Sequence, residues 1–149
     1  MVWSDNRTEE IVEQMVEQFG GDSLAFKKKT GLPMSPYFSA FKIKWMLQNE
    51  AAVKEAYNKG DVLFGNVNTY IIYLLTCGKE FSTDPTNASR MFLMDLETIQ
   101  YDKELLDLFE IKESMIPGIK PNAADYGTVS HPEIKGLKGL NIGGSIGDQ

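Results

Sequence analysis

The strongest constraint on this chain is a succession of apolar residues at helical spacing, with each run closed by glycine or proline after a few turns. Ile11, Val12, Met15, Val16 and Phe19 alternate with Glu10, Glu13, Gln14 and Glu17, which gives a helix one apolar and one charged face. Gly20-Gly21 ends it, because glycine takes the left-handed conformation that closes a helix. Leu24 to Lys29 can form a short second helix, and the stretch TGLPMSP, punctuated by Gly31, Pro33 and Pro36, is a loop. In YFSAFKIKWMLQNE, Phe38, Phe41 and Trp45 share one helical face, with Ile43 and Leu47 as a second stripe; Trp45 is assigned to the core. A further helix from Ala51 to Tyr57 ends at NKGD.

The remaining elements follow from local signals. Met1-Val2-Trp3 reads as the tail of a strand, and Asn6 with Glu9 has the spacing of a capping box. From Tyr70 to Leu75 the chain is apolar on every side, as a buried helix or a buried strand would be; the expected N-cap at Asn68 and the length favour a helix packed inside a larger body. STDPTNASR reads as a polar turn. Asp102 caps a helix carrying Leu105, Leu106, Leu108 and Phe109, and a short turn from Lys112 to Met115 stops before Pro117. From Gly127 the text becomes strand and turn material, with Leu140-Asn141-Ile142 the best strand. The fold class is therefore α/β, predominantly helical with short strands at both ends, as in a piece of a domain whose helices cover a sheet.

Composition excludes several functions. A net charge of -6 leaves no basic excess for nucleic acid or an anionic membrane, and Lys27-Lys28-Lys29 reads as a solvated helix face. Cys77 has no partner for a disulfide and reads as a small buried hydrophobe, which suits a reducing compartment. His131 is also alone, so no metal cluster is legible. The apolar run from Tyr70 to Leu75 is far short of the ~20 residues of a membrane helix. Polar residues follow Met1-Val2-Trp3 at once, so no signal peptide is expected, and the expected location is cytoplasmic.

Five blocks occur in order: VWSDNRT, GLPMSPYFSAFKIKWMLQN, LFGNVNTYIIYLLTCG, TDPTNASRMFLM and GSIGDQ. Together they resemble the glycerol kinases of the FGGY carbohydrate kinase family, and the resemblance covers all 149 residues. It implies a partial actin-like, ribonuclease-H-like ATPase domain. Residues 1–149 would be the latter part of the N-terminal domain, without the glycine-rich phosphate loop, the upstream Arg-Glu pair or the C-terminal ATP domain. It implies ATP and Mg as cofactors held largely outside the chain, and glycerol or a similar small polyol as substrate. By the same likeness Trp3 walls the glycerol site, Tyr37 touches a glycerol hydroxyl, Asp148 is the catalytic base, and Gln149 is its neighbour in the pocket.

That chemistry is reasonable for these residue types. Phosphoryl transfer asks mainly for positioning and charge stabilisation, and a carboxylate aimed at a hydroxyl supplies general-base catalysis of ~10²–10⁴-fold. A glycine-bearing turn lets the backbone approach closely, and aromatic walls suit the C–H face of a polyol. The chain departs from the family at Asn68, Tyr70 and Tyr73, where an Asp and two Trp are usual, at Met91 for Thr, and at Phe41 for a small residue. These changes touch packing more than the reacting centre. Lys42 belongs to the family signature and reads as a structural or snorkelling lysine. The alternative is a truncated or degenerate kinase copy serving as an interaction module, with its exposed apolar faces covered by a homo-oligomer or by the missing domain.

Overall fold

The computed structural model describes residues 1–148; Gln149 lies outside the described residues. The chain forms two compact units, residues 1–62 with 89–115, and residues 63–88 with 116–149.

The first unit is helical. Helix α1 (Glu9–Gln18) buries Ile11, Val12 and Met15, and α2 (Lys27–Thr30) is a single turn. The long α3 (Ser39–Asn49) runs into α4 (Ala51–Lys59), which Gly60 closes in the left-handed conformation. A 3-10 turn (Ser89–Met91) leads into a two-residue antiparallel ladder of β2 (Met94–Asp95) with β3 (Gln100–Tyr101). Helix α7 (Lys103–Phe109) begins as the sequence indicates, with the Asp102 carboxylate accepting from the Leu105 amide at 3.0 Å. The Lys29 ammonium bonds Asp102 and Glu104 at 2.8 and 2.7 Å, and these two bonds raise its pKa; one of the three successive lysines is thus paired rather than merely solvated.

Phe92 is the hub of the core. Its fully buried ring meets Phe41 at 5.2 Å, Phe38 at 5.9 Å, Phe109 at 6.0 Å and Phe26 at 6.2 Å between centroids. Its φ of 67° is a conformation that bulky residues avoid, held here by the rings around it. Phe41 and Met91, two of the five departures from the family pattern, are both buried in this unit. Trp45 is only half-buried, because its ring lies beneath the Arg7 guanidinium at 4.9 Å instead of among the phenylalanines.

The second unit holds α5 (Val67–Leu75), β1 (Ser82–Thr83), the single turn α6 (Pro85–Ala88) and β4 (Gly118–Ile119). Strand β1 pairs in parallel with β4, Ser82 opposite Gly118 and Thr83 opposite Ile119. Tyr126 is fully buried, its hydroxyl 3.0 Å from the Pro121 carbonyl and 3.1 Å from that of Lys120. Burial, with Asp84 and Glu80 nearby, pushes that phenol up to about 12. Around Thr128 and Asn141 a narrow antiparallel ribbon brings the 126–129 segment against 140–142, where strand was expected.

Several expectations are corrected. Met1 to Trp3 is no strand: the Asp5 amide turns back to the Val2 carbonyl at 3.1 Å, and the described strands lie mid-chain. The capping box does not form. Thr8 occupies the N-cap, and its hydroxyl faces the Pro36 carbonyl rather than the helix. Helix α5 starts after Asn66, not at Asn68, and it buries only Thr69 and Ile72 while Val67, Tyr70, Ile71 and Leu74 are exposed. Cys77 is exposed, because left-handed backbone at Cys77 and Gly78 turns the chain outward after α5. The STDPTNASR stretch is not a surface turn: Ser82, Thr83 and Asp84 are buried.

Candidate functional site

In the first unit the structure brings Trp3 and Tyr37 together, with ring centroids 6.5 Å apart at an interplanar angle of 49°. Trp3 is 72% and Tyr37 42% exposed, so both are open to solvent. Each is held from behind. Tyr37 packs edge-on against the buried Phe38 at 5.2 Å, and Phe38 stacks on Phe92. The turn bearing Trp3 is tied down through Asp5, whose carbonyl accepts from the Lys42 ammonium at 3.0 Å and whose carboxylate pairs with Arg7 at 2.9 Å. The Arg7 hydrogen bonds hold the Asp5 carboxyl below its ordinary pKa. Burial pulls the Lys42 pKa down, although the Asp5 charge opposes it. Lys42 is thus the structural lysine that the sequence suggested.

Arg90 was not anticipated. Its guanidinium lies 5.6 Å from the Tyr37 ring centre and 5.3 Å from that of Phe38, which places a cation beside the aromatic pair. Its one sequence signal is its place in the TNASR block.

Asp148 belongs to the second unit and is exposed. Among the described residues no hydrogen-bond partner holds its carboxylate, so the backbone before it sets its position. That backbone passes close to residue 122: a Cβ on Gly144 would sit 2.8 Å from the Asn122 carbonyl oxygen. The glycine is required there by this approach. Gln149 lies outside the described residues.

Behind the 145–147 segment is a buried carboxylate that sequence reasoning passed over. Asp84 is 0% exposed. One of its oxygens accepts from the Thr86 amide at 2.9 Å, the Asn87 amide at 3.2 Å, the Asn122 side chain at 3.1 Å and the Thr86 hydroxyl. The other accepts from Asn87 and Ser145 side chains, both at 2.7 Å, and from Asn68 at 3.3 Å. Burial works against the charge, but the bonds from Thr86, Ser145 and Asn87 outweigh it and hold the carboxyl below its ordinary pKa. Asn68 serves this carboxylate instead of capping α5, because a buried charge needs donors more than an exposed helix start needs an acceptor. Asp-Pro-Thr-Asn is a recognisable local turn, but no local pattern announces that residues 68, 122 and 145 converge on it.

Among the described residues no group of three or more His, Cys, Asp or Glu side chains could hold a metal ion, and no residue of this chain is assigned to magnesium. No helix of the described residues is long and apolar enough to cross a membrane.

The family model described as the FGGY family of carbohydrate kinases, N-terminal domain, matches residues 1–149. The chain belongs to that family. Within it, the glycerol kinase of Pseudarthrobacter chlorophenolicus is 42% identical over 152 residues, covering 100% of this chain and 29% of the relative. The crystal structure of Plasmodium falciparum glycerol kinase with ADP superposes with a TM-score of 0.93 at 39% identity, over 100% of this chain and 29% of that one. Xylulose kinase from Rhodospirillum rubrum gives a TM-score of 0.78 at 27% identity, over 95% of this chain and 28% of that one. This FGGY chain therefore has the actin-like fold of the sugar kinases and spans about 29% of the length of such relatives.

Proposed function

We propose that the polypeptide carrying this chain transfers the γ-phosphoryl group of ATP to a terminal hydroxyl of glycerol. The observation that carries the reading is the margin by which the chain resembles glycerol kinase, 39–42% identity, over xylulose kinase at 27%. In this reading Trp3 and Tyr37 face the C–H surface of the polyol and exclude water from it. Asp148 accepts the proton of the attacking hydroxyl as its oxygen bonds to phosphorus and the bond to the ADP oxygen breaks. Gln149, next in sequence, is read as a further substrate-binding residue. The phosphate loop, the Arg-Glu pair and the ATP domain lie outside residues 1–149, as do the residues that hold magnesium, and the reaction takes place in the cytoplasm. An ADP-release assay on the complete polypeptide tests this: glycerol should be the best acceptor, and faster turnover with xylulose or gluconate would refute it. The 149-residue chain alone should be inactive.

The exposed apolar face of α5, with Val67, Tyr70, Ile71 and Leu74, favours the second reading, an interaction module covered by another domain or copy. Light scattering on the chain distinguishes the two: a stable dimer supports the module, and a clean folded monomer argues against it.

A further inference from the structure

We propose that Asp84 is a positioning residue: with Thr86, Asn122 and Asn68 it clamps the 145–147 backbone and thereby fixes where Asp148 presents its carboxylate. The inference rests on the proposed role of Asp148.

A buried carboxylate is costly unless its lone pairs are filled, and no cation among the described residues pairs with Asp84. Its contacts with Thr86 and Asn87 are those of an ordinary Asx turn starting α6, and such a turn is stable at a surface. The turn explains neither the burial nor the three further side chains that reach the carboxylate from α5, from residue 122 and from residue 145. What those side chains share is the segment just before Asp148.

Ser145 is bound at every polar group. Its amide donates to the Asn122 carbonyl at 2.9 Å, its carbonyl accepts from the Asn122 side chain at 2.9 Å, and its hydroxyl donates to Asp84 at 2.7 Å while accepting from Asn68 at 3.3 Å. Asn122 spends one amide proton on Ser145 and the other on Asp84. Two residues on, the Gly147 amide donates to the Thr86 hydroxyl at 2.7 Å. A hydroxyl has one proton, and a carboxylate can only accept, so Thr86 gives its proton to Asp84 and turns a lone pair to Gly147. The acceptor for the Gly147 amide, one residue before Asp148, is thus oriented and polarised by Asp84. Among the described residues Asp148 has no side-chain tether of its own, so these bonds define its place. General-base geometry tolerates little slack: misplacement by about 1 Å can cost ~10²-fold in rate.

Loss of Asp84 itself could prevent folding, so the test uses Thr86 in the complete polypeptide. Thr86→Val keeps shape but removes the hydroxyl bonds to Asp84 and Gly147, and Thr86→Ser keeps them. Thr86→Val should speed hydrogen exchange of the 143–148 peptide and lower kcat for glycerol by about tenfold or more, with KM changed less than about threefold. Thr86→Ser should restore both. The inference is overturned if Thr86→Val leaves exchange or kcat unchanged, if KM rises as kcat falls, or if Thr86→Ser behaves like Thr86→Val. An unsubstituted polypeptide that does not phosphorylate glycerol would refute the proposed function instead, and the exchange measurement would still decide whether the clamp holds the segment.

Discussion

Gly144→Ala probes the segment that carries the proposed base from a direction independent of side-chain hydrogen bonding. The added methyl would stand 2.8 Å from the Asn122 carbonyl oxygen, against about 3.4 Å for an ordinary contact, so the backbones must separate by about 0.6 Å. The obstacle is main chain, and it cannot swing aside. The same carbonyl accepts the Ser145 amide at 2.9 Å, so separation stretches that bond too. Overpacking of this kind costs about 1–3 kcal/mol, and displacing Asp148 by a comparable distance should lower turnover by ~10–100-fold. Gly143 is the control: a Cβ there meets nothing within 4 Å. Gly143→Ala should be neutral to within about 0.5 kcal/mol. Urea unfolding gives the first quantity and a coupled assay on the complete polypeptide the second. If the two variants are indistinguishable in both, the close approach of residues 144 and 122 does not govern the segment.

Other predictions follow from the same contacts. Phe92→Ala removes the ring at the centre of the first unit and should cost about 3–5 kcal/mol in chemical denaturation; a loss below about 1 kcal/mol would mean that the hub is not where the energy lies. Tyr37→Ala should raise KM for glycerol several-fold more than it lowers kcat, and unchanged KM would remove Tyr37 from the substrate wall. Asp102 supplies the pH prediction. Burial opposes its charge, but Lys29 and the Leu105 amide outweigh it and hold the carboxyl below its ordinary pKa. Its stabilisation is therefore complete above the unfolded value of about 3.9 and is lost as pH falls through the lower folded value. Asp102→Asn, which keeps a cap oxygen, should make the acid limb of Tm against pH shallower, and an unchanged limb would contradict the assignment.

Sequence and structure agree where the cause is local. Gly20-Gly21, Gly31 and Gly60 sit in left-handed backbone as their places after helical runs require, and Asp102 caps the helix it precedes. They part where a side chain has a distant claim on it. Asn68 looks like a cap until Asp84 recruits it from 16 positions away. The polar look of STDPTNASR hides a buried carboxylate, because the donors that permit its burial lie in other segments. Trp45 keeps the core spacing, yet Arg7 holds its ring at the boundary. Trp3 and Tyr37 were singled out through resemblance alone; the structure sets their rings side by side, and their contact with substrate belongs to the proposed function. Arg90 and the Asp84 network carried no comparable signal, since the convergence of residues 68, 122 and 145 on the 84–87 turn leaves no periodicity.

The central claim concerns Asp148, and its most direct test is turnover of the Asp148→Asn variant of the complete polypeptide with glycerol and ATP. Asparagine keeps the size and cannot take the proton, so kcat should fall by ~10²–10⁴-fold while glycerol still binds within a few-fold of its original affinity and the unfolding midpoint is unchanged. Near-normal kcat would contradict the account.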